Sequence, residues 1–195
     1  MKQFKTILSG GGTGGHIFPA LAIANALKSE KAHADILFVG ANRRMEMKQV
    51  PKAGFPIQGL WISGFQRKLS IRNLMFPFKL IVSLCRSYFI LKKFKPQIVI
   101  GTGGFASGPL LYMATRMNIP SLIQEQNALP GITNRLLGKH VDRICIAHKE
   151  AASFFPKHNT QITGNPLRAE LIPFTISTKE ARKKMKLAQS KITLL

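Results

Sequence analysis

The sequence predicts an α/β protein built on a mostly parallel sheet with helices on both faces. Three observations predict it. Short apolar runs of strand length alternate with helix-like runs between residues 5 and 165, the pattern of consecutive βαβ units. Two glycine-rich loops, LSGGGTGGH at 8–16 and GTGGFASGP at 101–109, each follow a strand-like run and lead into a helix-like one. Finally, 45% of the 195 residues are apolar, enough to build a core.

Taken in order, 5–10 reads as a buried strand and 17–30 as a helix. A strand at 34–40, a short polar helix at 43–54 and a strand at 56–62 follow. A long helix is predicted over 71–94, disturbed near Pro77, which lacks a backbone donor. Then come a strand at 97–103, a helix at 107–118, a strand at 119–126 and a helix at 130–140. A strand at 142–148, a short helix at 149–155 and a last strand at 160–165 complete the set. There are no internal repeats and no low-complexity tracts. The composition shifts after Pro166, where a linker, a basic helix at 178–188 and a terminal apolar strand are expected. The expected organisation is one domain over 1–166, with the start of a second, truncated one over 167–195.

There are 29 Lys and Arg against 8 Asp and Glu, a net charge of +21. Such a surplus implies an anionic partner: phospholipid head groups, nucleic acid or a phosphorylated ligand. The basic residues are spread along the chain, with no module that interleaves them with stacking aromatics; no nucleic-acid partner is therefore expected, and a basic nucleic-acid-binding protein stays only as a disfavoured alternative. The N-terminal apolar stretch is short and ends in glycines, unlike a signal peptide. Lys79 and Arg86 interrupt the longest apolar region, 74–91, which argues against a transmembrane span. Cys85 and Cys145 each sit in an apolar run, where core packing in a reducing compartment is expected. Within 71–94, Arg72, Lys79, Arg86 and Lys93 recur every seven residues and share a face. The other faces carry Leu74, Phe76, Phe78, Leu80, Ile81, Leu84, Phe89 and Ile90, with Trp61 and Phe65 upstream. This stretch is either a buried helix with a solvated stripe or a surface that dips among lipid head groups.

Gly10, Gly12 and Gly15 form G-x-G-x-x-G between a strand and a helix. Such a loop lets backbone approach an anion at a helix N-terminus. It is not a Walker A, because His16 stands where lysine is needed. A dinucleotide site wants an acid at the end of the second strand. Here Asn42, Arg43 and Arg44 occupy that tip, which leaves an NADP-binding oxidoreductase domain as one reading. His16 sits in the first helical turn and its neutral form accepts a proton near pH 7; a locally capping or packing histidine is the other reading. Ser107, in the second loop, reads as a helix N-cap and not a nucleophile, since G-x-S-x-G is absent. Gln124 to Asn127 end the fifth strand on the same crevice. Among the carboxylates only Glu46 and Glu125 fall where chemistry is expected; the others sit at helix ends, in the linker or, as Asp35 and Asp142, at strand openings. No carboxylate pair has glycosidase spacing, and no metal-ligand spacing links His33, His140, His148 and His158 with each other or with the cysteines, so no metal is expected.

Five stretches, in this order and spacing, carry a family likeness: GGTGGHIFPALAIA (11–24), RMEMKQVPKAGF (44–55), GTGGFASGP (101–109), QEQNALPGITN (124–134) and TGNPLR (163–168). They resemble the N-terminal half of the family 28 glycosyltransferases of the GT-B fold. The resemblance covers residues 3–195. It implies a Rossmann-like N-terminal domain that takes a membrane-bound acceptor, undecaprenyl-diphosphate-MurNAc-pentapeptide (lipid I). A second domain would carry most of the UDP-GlcNAc site. It implies an inverting β-1,4 transfer of GlcNAc that makes lipid II for peptidoglycan, without a cofactor. The implied partners are UDP-GlcNAc, lipid I and an anionic membrane surface, at the cytoplasmic face of the bacterial inner membrane. Residue by residue, Thr13, Gly14, Gly15, Asn127 and Arg168 would border the donor. His16 would be the base, with Glu125 as a second catalytic group, and Glu46, Gly103, Gly104 and Ser107 would line the acceptor side. An inverting transfer needs such a base, and a cation or helix N-terminus for the leaving diphosphate. The sequence departs from the family at Gln124, where many members have His, and at KITLL, where the family continues into its donor domain. Little or no turnover is expected of the chain alone.

Overall fold

The computed structural model describes residues 3–64, 74–167 and 176–188. Seven strands are present: β1 (Lys5–Gly10), β2 (Asp35–Ala41), β3 (Ile57–Leu60), β4 (Ile98–Gly103), β5 (Ser121–Glu125), β6 (Arg143–Ile146) and β7 (Thr160–Ile162). They form one parallel sheet in the order β3-β2-β1-β4-β5-β6-β7. The helices are α1 (Gly14–Glu30), α2 (Glu46–Lys52), α3 (Phe76–Phe94), α4 (Ser107–Arg116), α5 (Ile132–Leu137) and α6 (Thr178–Lys184). Lys149–Phe154, expected as a short α-helix, is 3₁₀, and a second 3₁₀ turn spans Lys157–Asn159.

An all-parallel sheet must be covered on both faces, so its strands read as unbroken apolar runs. Successive side chains then serve opposite layers. Leu8, Phe38 and Ile100 pack with Ile17, Leu21 and Val50 from α1 and α2. Their neighbours Ile7, Leu37 and Val99 pack with Leu91, Leu110 and Leu111 from α3 and α4. Each such fully buried side chain contributes about 1.5–3 kcal/mol of transfer free energy. The strand order reverses direction between β1 and β4, whose carboxyl ends frame the crevice where open α/β sheets place ligands.

Two elements differ from expectation in ways that matter for the surface. The disturbance expected near Pro77 falls at Met75, a turn residue between helical Leu74 and the start of α3, so Pro77 lies in the first turn of α3, where a missing N–H costs nothing. The buried face of α3 is Ser83, Ser87, Ile90 and Leu91, and Ser83 Oγ donates to the Trp61 carbonyl at 3.1 Å. The larger Leu74, Phe78, Ile81 and Phe89 therefore face outward, Leu74 at 82% exposure. Cys85 also lies exposed on this helix, so it does not pack in the core as expected. Cys145 is half-buried on β6; burial pushes its thiol up, and a hydrogen bond with the Thr163 side chain pulls it partly back. Of the seven-residue basic stripe, Lys79 donates to Ser63 Oγ at 3.2 Å and lies over the Trp61 ring. Arg72 and Phe65 fall outside the described residues.

Beyond β7, α6 carries a capping box in which Ser177 and Glu180 exchange hydrogen bonds, and no residue of it is buried. The backbone N–H and hydroxyl of Ser177 hold the Glu180 carboxyl below its usual range. The terminal strand expected after it lies outside the described residues.

Candidate functional site

The two glycine loops meet where the sheet order switches. Gly11 N–H donates to the Gly103 carbonyl at 3.3 Å. Gly103 and Gly104 have φ of +101° and +85°, a region that side chains disfavour. Space also requires glycine here: a Cβ on Gly103 would fall 2.8 Å from His16 Nδ1, and one on Gly104 would strike the Gly11 carbonyl.

Glu46 fastens the first loop. It is 0% exposed, and its carboxylate accepts from Ala41 N–H at 2.9 Å and Gly12 N–H at 3.1 Å. Glu46 was expected to line the acceptor side; each of its oxygens is turned to backbone. Glu125 does the same for the other rim. It too is 0% exposed. One oxygen accepts from Asn127 N–H at 3.0 Å and Asn127 Nδ2 at 2.9 Å. The other accepts from Gly131 N–H at 3.2 Å and Asn134 Nδ2 at 2.9 Å. Four donated hydrogen bonds give this carboxylate, expected as a second catalytic group, the geometry of a loop anchor. Ser107 is buried as well. It is the first residue of α4 and not its N-cap, which is Ala106, and its hydroxyl donates to the Gly104 carbonyl at 2.8 Å.

What stays open is the start of α1. Thr13 is its exposed N-cap, with no side-chain capping bond. Gly14 and Gly15 follow and line a cleft of about 420 Å³ with Phe18, Gln126, Asn127 and Asn165. The first N–H groups of a helix lack intrahelical acceptors and carry its positive end, so this turn suits a phosphate. Three of the expected donor-side residues, Gly14, Gly15 and Asn127, thus share one cleft. Arg168 lies outside the described residues.

His16 is half-buried in the same turn. Its Nδ1 lies 3.0 Å from the Thr102 carbonyl and 3.2 Å from Gln126 Oε1. Both of these atoms only accept, so the ring proton sits on Nδ1 and Nε2 carries the lone pair. Thr102 Oγ1 donates back to the His16 carbonyl at 2.7 Å, locking the helix start to β4. Sequence reasoning missed Thr102 because a main-chain carbonyl leaves no trace in residue type. Gln126 and Asn165 lay within quoted motifs but carried no stated role.

Two further surfaces border the crevice. Asn42, Arg43 and Arg44, at the tip of β2, line a basic cavity of about 410 Å³ with Trp61, Ser63 and Lys79. Beside it, an apolar groove of about 500 Å³ runs between α3, α4 and α5, lined by Ile62, Phe76, Leu80, Phe105, Tyr112 and Leu136 among others. Among the described residues, no group of three or more His, Cys, Asp or Glu is placed to hold a metal.

Fold and site together define an α/β domain with an open helix N-terminus, of the kind that suits a phosphate, at the switch point of a parallel sheet. The model of the glycosyltransferase family 28 N-terminal domain matches residues 6–146. The chain belongs to glycosyltransferase family 28. It is 55% identical over 196 aligned residues to the UDP-N-acetylglucosamine–N-acetylmuramyl-(pentapeptide) pyrophosphoryl-undecaprenol N-acetylglucosamine transferase of Christiangramia forsetii, covering 100% of this chain and 54% of that protein. The Flavobacterium psychrophilum protein of the same name is 54% identical, over 100% of this chain and 53% of that one. The crystal structure of Acinetobacter baumannii MurG superposes with a TM-score of 0.72 at 30% identity, over 84% of this chain and 46% of that one. The chain spans about half the length of the curated relatives it matches.

Proposed function

We propose that the chain is the acceptor-binding half of a transferase that moves GlcNAc from UDP-GlcNAc to lipid I, giving lipid II. Residues 1–166 form the acceptor domain, and 167–195 lead into the donor-binding domain. His16 is the base. Its Nε2 takes the proton of the acceptor hydroxyl as that oxygen attacks the anomeric carbon, and the bond to the UDP oxygen breaks on the opposite face. UDP leaves with the bonding electrons, and the transfer inverts the anomeric centre. The N–H groups of Gly14 and Gly15, with the positive end of α1, offset the charge developing on the diphosphate. Asn127 and Arg168 contact the donor. Gly103 and Gly104 shape the acceptor side, while Glu46, Glu125 and Ser107 hold the loops from beneath.

The observation that carries this reading is the pair of acceptors on His16 Nδ1, which leaves Nε2 as the basic nitrogen of the ring. The names of the relatives support the substrate class. Family membership leaves the oxidoreductase reading without support. The domain works as a peripheral protein on an anionic membrane, at the cytoplasmic face of the bacterial inner membrane. Exposed Leu74, Phe78 and Ile81 and the apolar groove, together with Lys79 and the surplus of +21, support that placement. Among the described residues no helix is long and apolar enough to cross a membrane.

Co-sedimentation with neutral-lipid vesicles at high salt, with and without lipid I, tests the proposal. High salt screens the general charge attraction, so binding that depends on the acceptor is the expected result. If lipid I adds nothing, even with a donor domain supplied in trans, the acceptor reading is wrong.

A further inference from the structure

We infer that Gln126 and Gln124 are positioning residues for His16: a directed chain of side-chain amides that keeps the ring proton on Nδ1, tied at its far end to Asn165. Its meaning for catalysis rests on the reading of His16 as the base; the chain itself rests on geometry.

The direction of each link follows from its neighbours. Gln126 Nε2 donates to the Thr102 carbonyl at 2.9 Å, and two oxygens of Gln124, Oε1 and the main-chain carbonyl at 3.3 Å, face its other N–H. Acceptors thus surround that NH₂, so the amide oxygen faces His16 Nδ1, at 3.2 Å. Reversing the Gln126 amide would set its oxygen against the Thr102 and Gln124 oxygens and its NH₂ against the ring N–H. Gln124 in turn has its oxygen committed to Gln126, which leaves its NH₂ to donate to Asn165 Oδ1 at 3.5 Å. Gln124 is 2% exposed, so bulk water does not replace its bond with Gln126, while Gln126 is half-buried and Asn165 exposed, so the chain runs from the interior out to the cleft.

The arrangement matters because free neutral histidine favours the proton on Nε2, the tautomer unable to act as a base through that nitrogen. Here two acceptors converge on Nδ1 and reverse the preference. The far end lies in the segment that follows β7 and leads toward residues 167–195. The position of Asn165 therefore bears on the proton position at His16 through two intervening amides. This is a physical link between the connecting segment and the base that runs entirely through named hydrogen bonds.

The test is the ¹⁵N spectrum of the ring nitrogens in the histidine-labelled 195-residue chain, at about pH 8.5, well above the ordinary histidine range. Wild type is expected to show His16 with Nδ1 protonated and Nε2 bare. Gln126→Met and Gln124→Met keep the side-chain length but remove the amide, and both are expected to move the two ring nitrogens toward averaged values. Gln124→Met is the sharper variant, because Gln124 does not touch the ring. Gln124→Glu, which keeps an oxygen for Gln126 to donate to, is expected to restore the wild-type pattern, while amide spectra of all variants report that the fold persists. A wild-type ring proton on Nε2 would overturn the inference, as would wild-type ring shifts in Gln124→Met. The readout needs no turnover, so it separates this inference from the proposed function. If the tautomer behaves as expected but His16→Gln keeps full activity with a donor domain in trans, the chain of amides stands and the base assignment falls.

Discussion

Glu46 and Glu125 look interchangeable in the sequence, each an acidic side chain close to a strand end and close to glycine-rich loops. Both are enclosed, and both spend their oxygens on loop backbone or on amides. A buried carboxylate is tolerated only with such donors around it. Glu46→Gln is nearly isosteric, yet its NH₂ must face either the Ala41 or the Gly12 N–H, donor against donor. It is expected to lower unfolding stability by about 1–3 kcal/mol, seen as a lower urea midpoint. An unchanged midpoint would mean that the loop is not held by this contact. The position of both residues near the crevice was legible in the sequence. Which way they face was not, because that depends on where Ala41, Gly12, Gly131 and Asn134 come together.

α3 shows how periodicity can locate a helix without settling its rotation. Apolar residues lie on most of its faces, so the pattern alone allows several orientations. The choice falls on Ser83 and Ser87, which turn inward where a close approach is needed and where Trp61 offers a carbonyl. Phe78 and Ile81 are left outside. Ile81→Ser is expected to change stability by no more than about 0.5 kcal/mol, as for ordinary surface positions, and Phe78→Ser to cost about 0.5–1.5 kcal/mol through the lost edge-to-face contact with Trp61. Vesicle binding at high salt is expected to weaken about tenfold or more per residue, from lost apolar burial. Equal vesicle binding by wild type and Phe78→Ser would show that this face does not enter the lipid. The break expected near Pro77 falls at Met75, because a proline suits a first turn and not a helix interior, so a new helix starts just before it.

Across the whole molecule the charge of +21 acts as a long-range attraction. Binding to anionic vesicles is expected to fall steeply between about 0.1 M and 1 M salt, where the Debye length shrinks from about 10 Å to about 3 Å. The apolar contribution of α3 should remain. Binding that ignores salt would assign the whole affinity to that face and none to charge. The sequence by itself determined the α/β class, the seven strands, the two glycine loops and the family, because these follow from local patterns of apolar runs and glycines read along the chain. Only the tertiary structure decided that His16 meets Thr102 and Gln126, that two carboxylates anchor loops, and that α3 turns its large side chains outward. These depend on strand order: β1 lies beside β4, and β4 beside β5, so residues 86 and 110 positions apart fall within hydrogen-bonding distance, a proximity that no local pattern encodes.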